Sequence, residues 1–177
     1  MLIPITKPNE EFIYAECQQL KDIYKDGAIV GLYASYYLDD RWVLHLGKTI
    51  FKNGKVETID SCIIHCDGDI AWTDVNKKFS EYLGDVKCVI NYGEHCVFDS
   101  PEYNLENLDV EVMAMHCQYY FYHRGLDVSN IEYIRCMFEY GEGIEGINLY
   151  TELVELLDDI LIGYEVISEQ NEEKNKS

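Results

Sequence analysis

The stretch Ala28 to Leu38, AIVGLYASYYL, is a nearly continuous apolar run bounded by Asp26-Gly27 on one side and Asp39-Asp40 on the other. Such a run marks a strand covered on both faces, placed inside a sheet rather than at its edge. The rest of the chain must then supply cover for two faces and pairing strands for two edges. With 177 residues, 47% of them hydrophobic, it has enough length to do this in one domain, expected over residues 1 to 167, without disulfide or metal staples.

The segments after the run supply the pairing strands. Asp39-Asp40-Arg41 turns the chain into WVLHLGKTIF, where Trp42, Leu44, Leu46 and Ile50 share one face, the alternation of a half-covered strand. Asn53 and Gly54 both tolerate positive φ and predict a type I′ hairpin into a third strand, Val56 to Ile64. Three strands in this order predict an antiparallel meander. Asp67 to Asp69 reads as a turn. Thr73 or Asp74 is the expected cap of a helix with Val75, Phe79, Tyr82 and Leu83 on one side, and Gly84 stops it. VKCVINY, Val86 to Tyr92, is then a fourth strand reached through a helix, hence a parallel addition.

The segments outside this core read as helices. Asn9 caps a first helix with Glu10 and Glu11 in its opening turn and Phe12, Ile13, Cys17, Leu20, Ile23 and Tyr24 near helical spacing. After the loop GEHCVFDSP the chain is expected to be helical from about residue 102 to 123, with a short strand near Asp109 to Val112. A further helix, capped by Ser129 or Asn130, runs to Glu139 and is broken by Gly141, Gly143 and Gly146. The last helix is predicted from about Asn148 to Tyr164, because Leu149, Leu153, Leu156, Leu157, Ile160, Leu161 and Tyr164 form one stripe. From Ser168 on, the polar SEQNEEKNKS has no apolar anchor and is expected to be a disordered tail over residues 168 to 177.

Charge narrows the function classes. Thirty-three Asp and Glu against fourteen Lys and Arg give a net charge of −19, which repels phosphate backbones and disfavours unaided nucleic-acid binding. Compatible partners are proteins with basic surfaces, or phosphates reached through a metal. The opening MLIPITKPNEE lacks the flank and core of a signal peptide, and no run has the length that spans a bilayer, so no membrane is expected. Seven cysteines without regular spacing fit reduced thiols packed as small hydrophobes. The expected compartment is the cytoplasm.

The order β-β-β-α-β followed by helices resembles the ribonuclease-H-like fold of the DEDDh (DnaQ-like) 3′–5′ exonucleases, and local patterns follow it. WVLHLGKTIFKNGKVETIDSCIIHC looks like that family's second and third strands. FSEYLGDVKCVINYGEHCVFD is similar to the helix, fourth strand and F-D pair that bring in the third catalytic acid, here Asp99. NIEYIRCMFEYGEGI resembles a helix ending in G-I, and INLYTELVELLDDIL the final helix that carries the general base and the last acid. The likeness spans most of residues 28 to 164 and implies an α/β fold with a mixed sheet, three antiparallel strands then parallel additions, flanked by helices.

In the active family, the resemblance implies, four carboxylates hold two divalent metals about 4 Å apart and a histidine takes the proton of the attacking water. On this chain the first motif, D-x-E, falls on Leu32 and Ala34, or on Gly31 and Tyr33 if the register slips by one. The histidine falls on Ile147 and the last aspartate on Glu152. Leucine and alanine cannot ligate a hard cation. The positions Leu32, Ala34, Asp99, Ile147 and Glu152 are therefore expected to be relics, with no catalytic residue, no metal site and no cofactor. Asp99 and Glu152 are the residual metal candidates. If the chain were instead an active exonuclease, it would use Mg or Mn with Asp99, Glu152 and acids such as Asp109 or Asp159.

Other patterns yield weaker sites. His65-Cys66, His95-Cys96 and His116-Cys117, with Cys62, suggest zinc, but adjacent strand residues face opposite ways and no second pair stands at finger spacing. In HCQYYFYHRG, Tyr119, Tyr120, Phe121 and Tyr122 are consecutive; four successive aromatics on a helix cannot all face inward, and exposed ones are interface anchors. Asp39-Asp40, Glu142-Glu145 and Glu155-Asp158-Asp159 are acidic clusters whose simplest role is a solvated surface and whose functional role is to mimic a phosphate track. Tyr119, Tyr120, Tyr122, Glu155, Asp158 and Asp159 are thus the expected partner-binding residues. The expected function is that of a non-catalytic acidic inhibitor, a pseudoenzyme that occludes a protein with a basic, nucleic-acid-handling surface. In composition it is like phage or mobile-element anti-defence proteins, anti-CRISPR proteins included, and like toxin-neutralising immunity proteins.

Overall fold

The computed structural model describes residues 10–66, 71–93, 105–141 and 147–176. Helix α1 (Glu10–Ile23) leads through a tight 3-10 turn at Lys25–Gly27 into β1 (Val30–Leu38), β2 (Arg41–Lys52) and β3 (Lys55–Cys66). Helix α2 (Trp72–Leu83), β4 (Cys88–Asn91), β5 (Glu106–Asp109), α3 (Glu111–His123), α4 (Ser129–Tyr140) and α5 (Leu149–Lys176) follow. The five strands form one mixed sheet in the order β3-β2-β1-β4-β5, antiparallel among the first three and parallel from β1 to β4 and β4 to β5.

Turn chemistry sets the registers. Asp39 and Asp40 adopt φ of 52° and 62°, and Asn53 and Gly54 adopt 56° and 77°. Both hairpins thus close in two residues with left-handed backbone, which matches the strand twist. The first aligns Ala34 with His45, and the second aligns His45 with Ile63. β1 is covered on both faces as its apolar run requires. Leu32, Ala34 and Tyr36 join a large cluster with residues from α1, α3, α4 and α5. Tyr33 joins a smaller one of Leu44, Leu46, Ile64, Val75, Phe79, Leu83, Val86 and Val89 under α2.

Five expectations are corrected. Of the stripe expected on α1, Phe12 stands outside, 52% exposed. Neither Thr73 nor Asp74 caps α2, whose cap position is Ala71 and makes no side-chain bond. Likewise α4 starts after Val128, with the Asp127 carboxylate accepting the Ser129 N–H at 2.9 Å, so the turn before the helix supplies the acceptor. The tail from Ser168 is helical rather than disordered: α5 continues to Lys176. Ile167 is fully buried, and Asn171 accepts from Arg124 at 2.6 Å and donates to the Tyr14 hydroxyl. One apolar residue and one bridging amide thus hold two extra turns that composition alone does not support. The short strand expected near Asp109 to Val112 lies slightly earlier, at Glu106–Asp109.

Candidate functional site: the cleft at the end of β1

Strand β1 pairs with β4 at Gly31 and Leu32, and β4 stops at Asn91 while β1 runs on to Leu38. The unmatched length of β1 borders a cleft of about 230 Å³. Its lining comes from β1 (Ala34, Ser35, Tyr36, Tyr37), the start of β2 (Trp42), the end of β4 (Asn91, Tyr92, Gly93), α3 (Glu111), α4 (Phe138, Glu139) and the segment entering α5 (Ile147, Leu149). Two of the expected relic positions, Ala34 and Ile147, meet here.

The donor set at the aligned positions does not fit a pair of divalent metals. Leu32 is fully buried in the core, Ala34 is 4% exposed, and neither they nor Ile147 offer an oxygen. In the alternative register, Gly31 lies against Val89 and Tyr33 packs edge-on to Phe79. Glu152 sits half-buried on the first turns of α5. One of its oxygens has no protein partner, and burial, with Glu155 adding repulsion, raises its pKa. Asp99 lies outside the described residues. Asp109 accepts the backbone N–H groups of Gly93 and Glu111 at 2.9 and 3.0 Å, which makes it a joint between β5, the β4 end and α3. Among the described residues no three His, Cys, Asp or Glu side chains are grouped to hold a metal.

The cleft does hold carboxylates, but from other positions. Glu111 opens α3 and Glu139 closes α4, so two helix ends deliver them to one place. Glu139 was readable only as the i,i+4 partner of Arg135; nothing local says where α4 ends relative to β1. Arg135, 4% exposed, donates to the Gln118 amide oxygen at 2.6 Å and to Glu139 at 3.3 Å. Tyr92 stacks on Phe138 with ring centroids 4.3 Å apart, and burial, countered by the nearby Arg135 guanidinium, pushes its hydroxyl up to about 12. Asn91 is 2% exposed; its Nδ2 donates to the Gly93 carbonyl at 2.6 Å, and its Oδ1 is buried without a partner.

Beside the cleft, β2 carries a buried polar column. His45 receives or donates a bond with the Tyr36 hydroxyl at 3.1 Å through Nδ1 and lies flat under Tyr150 of α5, centroids 3.9 Å apart. Burial pushes its pKa down to about 4, so the ring is neutral at pH 7. Tyr150 reaches this position because residue 47 is glycine: a Cβ there would stand 1.8 Å from the tyrosine oxygen. That hydroxyl bonds Thr58 on β3 at 2.8 Å.

The expected partner-binding residues do not form one face. Tyr120 is buried, donating to Glu10 at 2.7 Å, and Tyr119 is half-buried beside His123. Tyr122, 46% exposed, lines a groove between α3 and α4 with Tyr133, Asp127, Glu132 and Cys136. Asp158 accepts the Val56 N–H of β3 at 2.7 Å, whereas Asp159 accepts from Asn130 of α4 at 2.6 Å. These neighbours on α5 point to different elements, and burial raises the pKa of both. Glu155 is exposed. Asp159 borders a second groove, with exposed Ile162, that shares Leu126, Asp127 and Ser129 with the first. Tyr122 and Asp159 are therefore brought together on the α3–α4–α5 flank, and Tyr120 and Asp158 are spent on internal contacts.

The described thiol candidates make contacts within the fold. Cys117 is fully buried with its sulfur 3.6 Å from that of Cys17, and His116 pairs with Glu16 at 2.7 Å. Cys62 and Cys66 pack against the α2 cluster, while His65 is exposed. His95, Cys96, Glu142 and Glu145 lie outside the described residues.

No protein-family model matches the chain, and no curated protein matches it either. Among the described residues no helix is long and apolar enough to cross a membrane.

Proposed function

We propose that this chain is a non-catalytic binding protein, an acidic inhibitor on a ribonuclease-H-like scaffold related to the DEDDh exonucleases, and that it works in the cytoplasm by occluding a protein with a basic, nucleic-acid-handling surface. The observation that carries the reading is at the cleft: β1, the strand on which the exonuclease family places its first two acids, brings only Ala34 and aromatic or hydroxyl side chains there. The mixed sheet, three antiparallel strands followed by parallel additions, supports the scaffold assignment. A net charge of −19 supports a cationic partner. The α3–α4–α5 flank supplies what such an interface uses: exposed Tyr122 and Tyr133 as anchors, with Asp127, Glu132 and Asp159 around them. Anti-defence or immunity-type inhibition is the biological setting that this chemistry suits.

The test is capture from extracts of the native cell or its invading element by immobilised wild-type chain and by a D127K/E132K/D159K variant. A basic nucleic-acid-binding protein is expected on the wild type, released by salt and absent from the variant. Degradation of single-stranded DNA or RNA by the purified chain with Mg²⁺ or Mn²⁺, abolished by Asp99→Ala, would overturn the reading in favour of an active exonuclease.

A further inference from the structure

We infer that Cys17 and Cys117 are a site of reversible oxidation, where a low-molecular-weight disulfide converts the two thiols into one bond that staples α1 to α3. This chemistry is independent of the binder reading. The two sulfurs lie 3.6 Å apart although the residues are 100 positions apart in the chain, one on α1 and one on α3, and both are fully buried. A disulfide holds its sulfurs about 2.05 Å apart, so closure requires an approach of roughly 1.5 Å. Cys62 and Cys66, on the single strand β3, are close in sequence but stand about 13 Å from each other by strand rise and cannot bridge. The Glu16–His116 pair, at 2.7 Å and one residue before each buried cysteine, holds α1 and α3 in register at this point.

Burial decides how the bond forms. The hydrogen bond with Cys17, then desolvation, hold the Cys117 thiol well above its ordinary pKa, and the thiolate is the form that attacks a disulfide. The pair is therefore inert while α1 is docked. Helix α1 buries Ile13, Cys17 and Leu20, and side-chain bonds tie its rim, among them Glu10 to Tyr120, Gln18 to Tyr164 and Lys21 to Glu165. A helix held by so few buried side chains opens locally at a lower cost than the whole fold. In the open state one thiolate attacks the small disulfide, whose S–S bond breaks, and a small thiolate leaves. The second thiolate then attacks the mixed disulfide and expels the other small thiolate. Two protein thiols and one small disulfide thus become one protein disulfide and two small thiols, and the two protons pass to the departing thiolates. The product holds α1 down, because a link across 100 positions removes most of the open conformations. Excess small thiol reverses the exchange.

The test treats the full chain, purified reduced, with oxidised glutathione under native conditions, then alkylates the remaining thiols and digests without reduction. Mass mapping is expected to find the Cys17 and Cys117 peptides joined, two hydrogens lighter than the reduced pair, and separated again by dithiothreitol. The thermal midpoint of the oxidised chain should stand about 5 °C or more above that of the reduced chain. Amide hydrogen exchange in α1 should slow by about 10-fold or more, because the bridged helix no longer opens. Cys17→Ala should lose both the joined peptide and the rise in midpoint; the mapping on the wild-type chain decides the matter if that variant does not fold. Both cysteines still free after saturating oxidised glutathione, either one left as a glutathione adduct, a bridge from either to another cysteine, or a joined chain whose midpoint does not rise would each overturn the proposal.

Discussion

On one face of the sheet a single helix, α2, closes a layer built from Tyr33, Leu44, Leu46, Ile64, Phe79, Leu83 and other apolar residues. On the other face α1, α3, α4 and α5 close a layer that holds His45, Thr49, Gln118 and Arg135 among its buried residues. Tyr24 bonds Thr49 at 2.6 Å, Tyr36 bonds His45, and Arg135 joins Gln118 to Glu139. An apolar layer is specified by volume and pattern, and many side-chain arrangements satisfy it. A layer with buried polar groups admits only arrangements that partner them. The bonds of the second face thus tie particular elements to one another, and the cleft lies at the end of β1.

The comparison can be broken most readily at Phe79, the largest fully buried side chain among the described residues and a member of the α2 layer. Phe79→Ala is expected to cost about 3–5 kcal/mol in urea unfolding, and Leu157→Ala, equally buried on the other face, about 2–5 kcal/mol. A loss below about 1 kcal/mol for Phe79→Ala, less than the usual core truncation, would show that α2 does not hold its layer.

Two close-packed glycines sharpen the contrast. At Gly47 an added Cβ meets the Tyr150 oxygen and ring at 1.8–2.9 Å, so Gly47→Ala must lift Tyr150 off His45 and break its bond to Thr58. A cost of about 2–3 kcal/mol is expected, with the His45 pKa, followed by NMR, rising toward its ordinary value as water reaches the ring. At Gly31 on the opposite face the Cβ meets the Val89 and Leu83 side chains at 2.9 and 3.2 Å, which can shift, and Gly31→Ala should cost about 1 kcal/mol. Equal costs would remove the distinction between the two layers.

The helical layer also responds to pH. The unfolded chain protonates His45 near 6.5, whereas the folded ring, held down by burial, waits until about 4. Between these values the unfolded state binds more protons. The stability due to His45 is therefore complete above about 6.5 and falls with pH, by roughly 2 kcal/mol at pH 5. Glu152, Asp158 and Asp159, whose pKa values burial raises, act oppositely: they protonate more readily in the fold, so their contribution grows as pH falls through the carboxylate range. The difference in urea stability between wild type and His45→Leu isolates the histidine and should shrink from pH 7 to about pH 5. A pH-independent difference would mean that His45 is not kept neutral by the helical layer.

Much of the framework was legible. Ala28 to Leu38 announced a strand covered twice, Asn53-Gly54 a two-residue hairpin, and the leucine stripe of residues 149 to 161 a buried helix face, all of which the structure contains. The site was much less so. Ala34 and Ile147, expected only as relic positions, line the cleft, and Glu111, Glu139 and Asn91 were missed, because each is an ordinary polar residue near the end of an element. Asp158 and Asp159 look like one acidic face in sequence, yet neighbours on a helix stand about 100° apart, and here each meets a different element.

By itself the sequence determined the strands, the two hairpin turns and the buried stripe of α5, because apolar period and positive-φ residues act over a few positions. Only the tertiary structure decided that the helix continues past Ser168, that Tyr120 is internal while Tyr122 is exposed, and that two glutamates and an asparagine meet at the end of β1. The contacts responsible, such as Cys17 with Cys117 and Val56 with Asp158, join residues 100 and 102 positions apart. Local spacing carries no record of pairs that only packing brings together.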